Sequence, residues 1–216
     1  MFGSVLTVTI TLMHVYVFWR VCTISFVRRH ISLAGIIGTG AAAWTLFFIG
    51  RSIGHGGQGA FSGILELAGM NWMASLFLLF ISILTADIVT GFGFFLPKKV
   101  PILRGYGLAA GIMLSLFALV QGMRPPAIIN YDVSIPDLPP SSDGQVIAAL
   151  SDLHLGSVLG RRWLDARVRQ VQAIEPDMVV LLGDIFEGHG LPVDDLSPVL
   201  RRLTAPLGVY AVLGNH

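Results

Sequence analysis

The stretch VIAALSDLHLG, residues 146–156, decides the fold. Val146 to Leu150 form a short apolar run, the mark of a buried strand, and SDLHLG then turns abruptly polar. The same grammar recurs twice. DMVVLL (177–182) runs into GDIFEG (183–188), and GVYAVL (208–213) runs into GNH (214–216). Between the runs lie helical patterns. RRWLDARVRQVQAIEP (161–176) places Leu164, Val168, Val171 and Ile174 on one helical face, with Pro176 closing it. DDLSPVLRRL (194–203) does the same with Leu196, Val199, Leu200 and Leu203, and Ser197-Pro198 reads as N-cap and first helical residue. Strands alternating with helices predict a parallel sheet with helical crossovers, βαβαβ. In such sheets ligands sit beyond the carboxyl ends of the strands, where the three polar tips fall.

Working outward, the chain in front of this segment is of another kind. Of 216 residues, 54% are hydrophobic and only 12% charged, outside the range of an ordinary soluble domain. Residues 1–123 carry seven Lys/Arg and two acids, whereas residues 124–216 carry seven Lys/Arg and eleven acids. The net charge of +1 therefore hides an apolar half with basic loops and a mildly acidic soluble half. No basic stripe with interleaved aromatics appears, so no nucleic-acid partner is expected. The single Cys22 excludes disulfides within the chain.

A bilayer span needs about 20 mostly apolar residues, and four stretches qualify. They run from about Val5 to Val27, from Leu33 to Ile53, within Leu67 to Leu96, and from about Tyr106 to Met123. The third is long for one upright span and is expected to tilt, or to end near Asp87 and follow the interface through GFGFFLP. The sequence thus predicts a four-helix transmembrane domain over 1–123, a Pro-rich tether over 124–144, and a soluble segment over 145–216. Within the tether, AIINYDVSI (127–135) alternates as an edge strand would. The loops after the first and third spans hold Arg28, Arg29, Lys98, Lys99 and Arg104, against Arg51 and Arg124 on the other side. The positive-inside bias then places both termini and the soluble segment outside the cytoplasm. Among ionisable residues in the spans, Arg20 is expected to snorkel towards Arg28 and Arg29, Asp87 to lie at the interface, and His14 to bond a neighbouring helix. Gly35, Gly38, Gly40 and Ala41 to Ala43 are expected to permit close helix packing.

Taken singly, Asp152-Leu153-His154, Gly183-Asp184 and Gly214-Asn215-His216 are weak signals, each equally a polar loop capping the next helix. As an ordered set at three successive strand ends they read as a metal site. Asp152 and His154, two residues apart, turn to the same side; Asp184 offers two oxygens able to bridge two cations. Asn215 offers an amide oxygen and His216 an imidazole. Such a donor set, without thiolate, suits Mn, Fe or Zn. Glycines 156, 183 and 214 allow tight turns beside the ligands.

The ordered set SDLHLG, LLGDIFEG and VLGNH resembles the calcineurin-like metallophosphoesterase family, and the apolar half with its tether resembles that family's membrane-anchored bacterial branch. The resemblance covers about residues 127–216. It implies a two-sheet sandwich flanked by helices, of which this chain holds the first half, and two divalent metal ions. Asp152 and His154 would bind the first metal, Asp184 bridge both, Asn215 bind the second, and His216 protonate the leaving group or steady the charge on phosphate. Glu187 stands where many relatives carry another acid and takes no ligand role; His189 reads as a loop histidine. The family draws further ligands from downstream, a lone His and a Gly-His-x-His segment, so the chain is expected to be an N-terminal fragment, inactive alone because four ligands do not complete two coordination spheres.

The implied activity is metal-dependent hydrolysis of phosphate mono- or diesters through a metal-bound hydroxide. Anchoring in a bacterial inner or plasma membrane points to a lipid-linked or envelope phosphoester as substrate. Two rival readings are a transporter or sensor with a regulatory phosphoesterase-like domain, and a catalytically dead binding module.

Overall fold

A computed structural model describes residues 2–54, 60–156, 158–187 and 193–215. Two compact units are present, residues 1–52 with 67–126 and residues 53–66 with 127–216.

The apolar part is built from helices α1 (Phe2–Val21), α2 (Ser25–His30), α3 (Leu33–Ile49), α4 (Ala60–Val89) and α5 (Val100–Gly122). Four stretches are long and apolar enough to cross a membrane: Gly3–Val21, Leu33–Ser52, Phe61–Val89 and Val100–Gly122. The boundaries differ from the sequence reading in two places. The first span stops at Val21 instead of running to Val27, because the Thr23 hydroxyl and amide both donate to the Arg20 carbonyl, at 2.6 and 2.9 Å. That closes the last turn, and Ile24 leaves it extended. Helix α4 begins at Ala60, seven residues before Leu67, so it carries Glu66, which is buried. It ends at Val89, close to Asp87 as expected, and Phe92 then turns left-handed within a short 3-10 turn, Gly91–Gly93.

Ile10, Val17, Phe47, Leu76, Leu79 and Ile83 form the core of this bundle. Lipid tails are as apolar as leucine, so close fit rather than water exclusion holds such helices together. The closest fits are at glycines. A Cβ on Gly40 would meet the Phe18 ring at 2.9 Å, one on Gly107 the Ser82 carbonyl at 2.8 Å, and one on Gly111 the Leu79 Cα at 2.9 Å. Of the small residues expected to pack, Gly40 does so, while Gly38 has nothing within 4 Å. The pair that lets α5 lie against α4 is Gly107 and Gly111, one helical turn apart.

Arg20 does not snorkel towards Arg28 and Arg29, where like charge would oppose it. It turns instead to Asp87, with Nε 2.6 Å from Oδ2, and its guanidinium lies 3.9 Å from the Trp19 ring centre. Arg104 comes to the same carboxylate from α5, Nε donating to Oδ1 at 2.6 Å, and donates from its terminal nitrogen to the Thr23 hydroxyl. The Tyr16 hydroxyl adds a third donor to Asp87, at 2.5 Å. Asp87 is therefore 0% exposed, two residues from the end of α4. Arg104 lies within α5 rather than in a loop. His14 accepts the expected role, its Nε2 3.0 Å from the Gly40 carbonyl of α3.

In the soluble part, β1 (Ile147–Leu150), β2 (Met178–Leu182) and β3 (Val209–Val212) form a parallel sheet in the order β1-β2-β3. Ile147 pairs with Met178 and Val179 with Val209. Right-handed crossovers between neighbouring strands put both connecting helices on one face. Helices α6 (Arg161–Gln172) and α7 (Val193–Leu200) accordingly share a core with that face: Leu164, Val168, Leu196 and Val199 pack with Ala148, Val179 and Leu181. The other face stays bare, with Ile147, Leu182, Tyr210 and Val212 each more than half exposed.

Two expectations here are corrected. Residues 127–135 form no strand; they run exposed and unpaired with the sheet. In α7, Pro198 is internal rather than at the first position, since the helix starts at Val193. Asp194 and Asp195 in its first turn complement the positive helix end, which favours the earlier start.

Candidate metal centre

The three polar tips meet beyond the carboxyl ends of the strands, and backbone pairing brings them there. Past β1 and β2 the parallel zipper continues: the His154 amide donates to the Asp184 carbonyl and the Leu155 amide to the Ile185 carbonyl, each at 2.9 Å. The Glu187 amide returns to the Leu155 carbonyl, also at 2.9 Å. Leu155, 0% exposed, anchors this zipper in the core.

Along these tips Asp152 (φ 56°), His154 (φ 42°) and Asp184 (φ 48°) are left-handed. For non-glycine residues this region is sparsely populated and costs on the order of 1 kcal/mol or more, so three such residues within one site mark a functional constraint. Gly183 (φ 91°) has a further reason to be glycine, since a Cβ there would press on the Gly214 backbone at 3.0 Å. A Cβ on Gly214 would overlap the Asp184 carboxylate. These two glycines let the tip of β3 close onto Asp184.

The result is a compact donor set. Ligand atoms of Asp152, His154 and Asp184 all lie within 4.8 Å of one another. His154 Nε2 is 3.7 Å from Asp152 Oδ1, and the Ser151 hydroxyl donates to Asp152 Oδ2. Asp184 Oδ1 accepts the Asn215 amide at 2.9 Å, so Asn215 stands beside it through its backbone. Two carboxylates and an imidazole at this separation fit a divalent cation of mixed oxygen and nitrogen preference. Of the residues singled out in the sequence, Asp152, His154, Asp184 and Asn215 are brought together. His216 and His189 lie outside the described residues.

One neighbour was not assigned beforehand. Glu187 Oε2 lies 3.3 Å from His154 Nδ1, whereas Asp152 is near the other ring nitrogen. Its signal in the sequence was an acid three residues after Asp184, without anything to say which group it faces.

Residues 146–216 match the family model of the calcineurin-like phosphoesterases. That match lies behind four helices long and apolar enough to cross a membrane. It is similar to the transmembrane protein with metallophosphoesterase domain of Bos taurus, 34% identical over 119 residues, 55% of this chain and 27% of that protein. The protein of the same description in Danio rerio is 32% identical over 48% of this chain and 24% of its own length. The UDP-2,3-diacylglucosamine pyrophosphatase LpxG of Chlamydia muridarum is 39% identical over 34% of this chain and 22% of its own length. The chain thus spans about a quarter of the length of these relatives. The bovine match is longer than the family match, so that likeness extends in front of Val146. No solved structure matches the chain.

Proposed function

We propose that the protein to which this chain belongs is a membrane-anchored, dimetal phosphoesterase that hydrolyses phosphate mono- or diesters. The observation carrying this reading is the convergence of Asp152, His154 and Asp184, with ligand atoms within 4.8 Å, at adjacent strand tips of the family segment. Asp152 and His154 would hold a first divalent cation, Asp184 would be shared with a second, and the Asn215 side-chain oxygen would complete this chain's contribution. Mn, Fe or Zn bound there supplies Lewis acidity towards phosphate oxygens and lowers the pKa of a water. Asp184 is held through Oδ1 by the Asn215 backbone amide. His216 is assigned to protonate the departing alcohol.

The domain organisation proposed is an anchor over 1–123, a tether over 124–144 and a catalytic segment from 145. An anchoring role for the helices, rather than transport, is supported by the way their charges satisfy each other: Asp87 with Arg20 and Arg104. The remaining loop cations still favour a cytoplasmic side bearing Arg28, Arg29, Lys98 and Lys99. In this proposal the helices lie in a bacterial inner or plasma membrane, with the soluble segment outside the cytoplasm. A lipid-linked phosphoester substrate is supported by the likeness to a relative named for acting on UDP-2,3-diacylglucosamine.

The test is elemental analysis and a manganese-dependent phosphodiesterase assay on the complete gene product and its Asp184→Asn variant. Bound transition metal and turnover, both lost in the variant, are expected. A wild type without metal that ignores added manganese overturns the proposal.

A further inference from the structure

We propose that the groove between α2 and the first half of α5 binds one anionic phospholipid, its acyl chain in the groove and its phosphate on the basic residues at the rim. The inference rests on the four apolar helices as membrane spans and is independent of the metal site. Helix α2 is six residues long and bounded by extended residues, Ile24 and Ile31, so it covers α5 in part. Ile24, 2% exposed, packs down on α5, where a Cβ on Gly105 would meet its methyl at 3.6 Å. Beside it a groove of about 490 Å³ stays open, lined by Phe26 and Val27 of α2 and by Ile102, Tyr106 and Ile112 of α5. Phe26, Ile102 and Tyr106 are 72%, 60% and 69% exposed.

Length and charge choose the occupant. From Pro101 to Ile112 the groove follows α5 for about 16 Å, at a rise of about 1.5 Å per residue. That is roughly half of a hydrocarbon core about 30 Å thick, the depth of one leaflet. Its rim lies at the end of the bundle where Arg20, Asp87 and Arg104 meet. Arg28 and Arg29 follow the lining residues Ile24 and Ser25 by four positions, the spacing of neighbours on one helix face. Lys99 caps α5, and Lys98 precedes it. All four cations are exposed, and none has an ion-pair partner among the described residues. Residues 1–123 hold two acids. Asp87 is taken by Arg20 and Arg104, and Glu66 lies about six turns earlier on α4. The charge that complements this rim therefore comes from outside the chain, and in a bilayer a lipid phosphate supplies it. Basic pockets between spanning helices hold anionic headgroups in this way. A second copy, packed alongside, would bring four more cations to the same end.

The experiment is native mass spectrometry of the full 216-residue chain, released from nanodiscs of equal phosphatidylglycerol and phosphatidylcholine. The wild type is expected to retain one phosphatidylglycerol, favoured over phosphatidylcholine by at least about 5-fold, the effect of a single basic residue beside an anionic headgroup. Arg28→Gln combined with Lys99→Gln should bring the two lipids close to parity. Ala109→Trp keeps every charge but sets a ring into the groove from an exposed lining position, and the retained lipid should be lost. Far-UV circular dichroism near wild type is expected for both variants, whose substitutions fall on exposed residues. A phosphatidylglycerol preference that survives Ala109→Trp would mean diffuse attraction to a basic surface and overturns the inference. Equal retention of the two lipids by the wild type overturns it as well. So does a lipid-free dimer that Ala109→Trp dissociates, which would give the groove to a second copy.

Discussion

The Asp87 carboxylate and the Arg104 guanidinium meet at 2.6 Å, joining α4 to α5 with 0% and 7% of their side chains exposed. Arg20 reaches the same carboxylate from α1. One acid thus holds two cations from two other helices, and it is the only acid among the described charges at that end of the bundle. Removing it leaves two guanidiniums buried without a counter-charge.

Asp87→Asn is accordingly expected to destabilise the bundle by about 3 to 5 kcal/mol, the range seen when one partner of a buried pair is removed. Denaturant unfolding in micelles, followed by tryptophan fluorescence, measures it. An unchanged midpoint would show that the cluster contributes nothing to helix association.

Gly111→Ala is expected to cost about 1 to 3 kcal/mol, since the new methyl meets the Leu79 backbone at 2.9 Å and backbone cannot yield as a side chain does. Gly38→Ala, with open space around it, is the matched control and should be neutral or slightly stabilising. Equal effects of the two would refute the close α4–α5 contact.

Gly214→Ala is expected to displace the Asp184 carboxylate, because the added carbon occupies its place. Manganese affinity should fall by at least the roughly 10- to 100-fold loss typical of a disturbed ligand shell. The far-UV circular dichroism of the α6–α7 core should stay near wild type. Retained affinity would separate Gly214 from the metal site.

The bare sheet face is expected to make residues 127–216, expressed alone, bind a hydrophobic dye and self-associate. Replacing Leu182 and Val212 by Lys on that face should suppress both, while leaving the core opposite untouched. A monodisperse, dye-silent wild-type segment would argue against the exposed face.

The legible part of this protein was its local periodicity. Apolar runs of bilayer length marked the spans, and short runs alternating with the Leu164–Val168–Val171 pattern marked a parallel sheet. Once the sheet was known, Asp152, His154, Asp184 and Asn215 had to fall at one edge, because parallel strands all end on the same side. Single-span details read less well: Thr23 capping the Arg20 carbonyl and Pro198 inside α7 depend on hydrogen bonds and helix starts that hydropathy does not encode.

What the sequence alone determined, then, was which segments are apolar, which alternate, and which polar groups share a strand end, since these follow from neighbours a few residues apart. Only the tertiary structure decided that Asp87 is enclosed by Arg20 and Arg104, that Gly107 and Gly111 carry the α4–α5 contact, and that Glu187 faces His154. Those pairings join residues distant along the chain. Their partners are chosen by register and by the steric fit of packed elements, which no local pattern specifies.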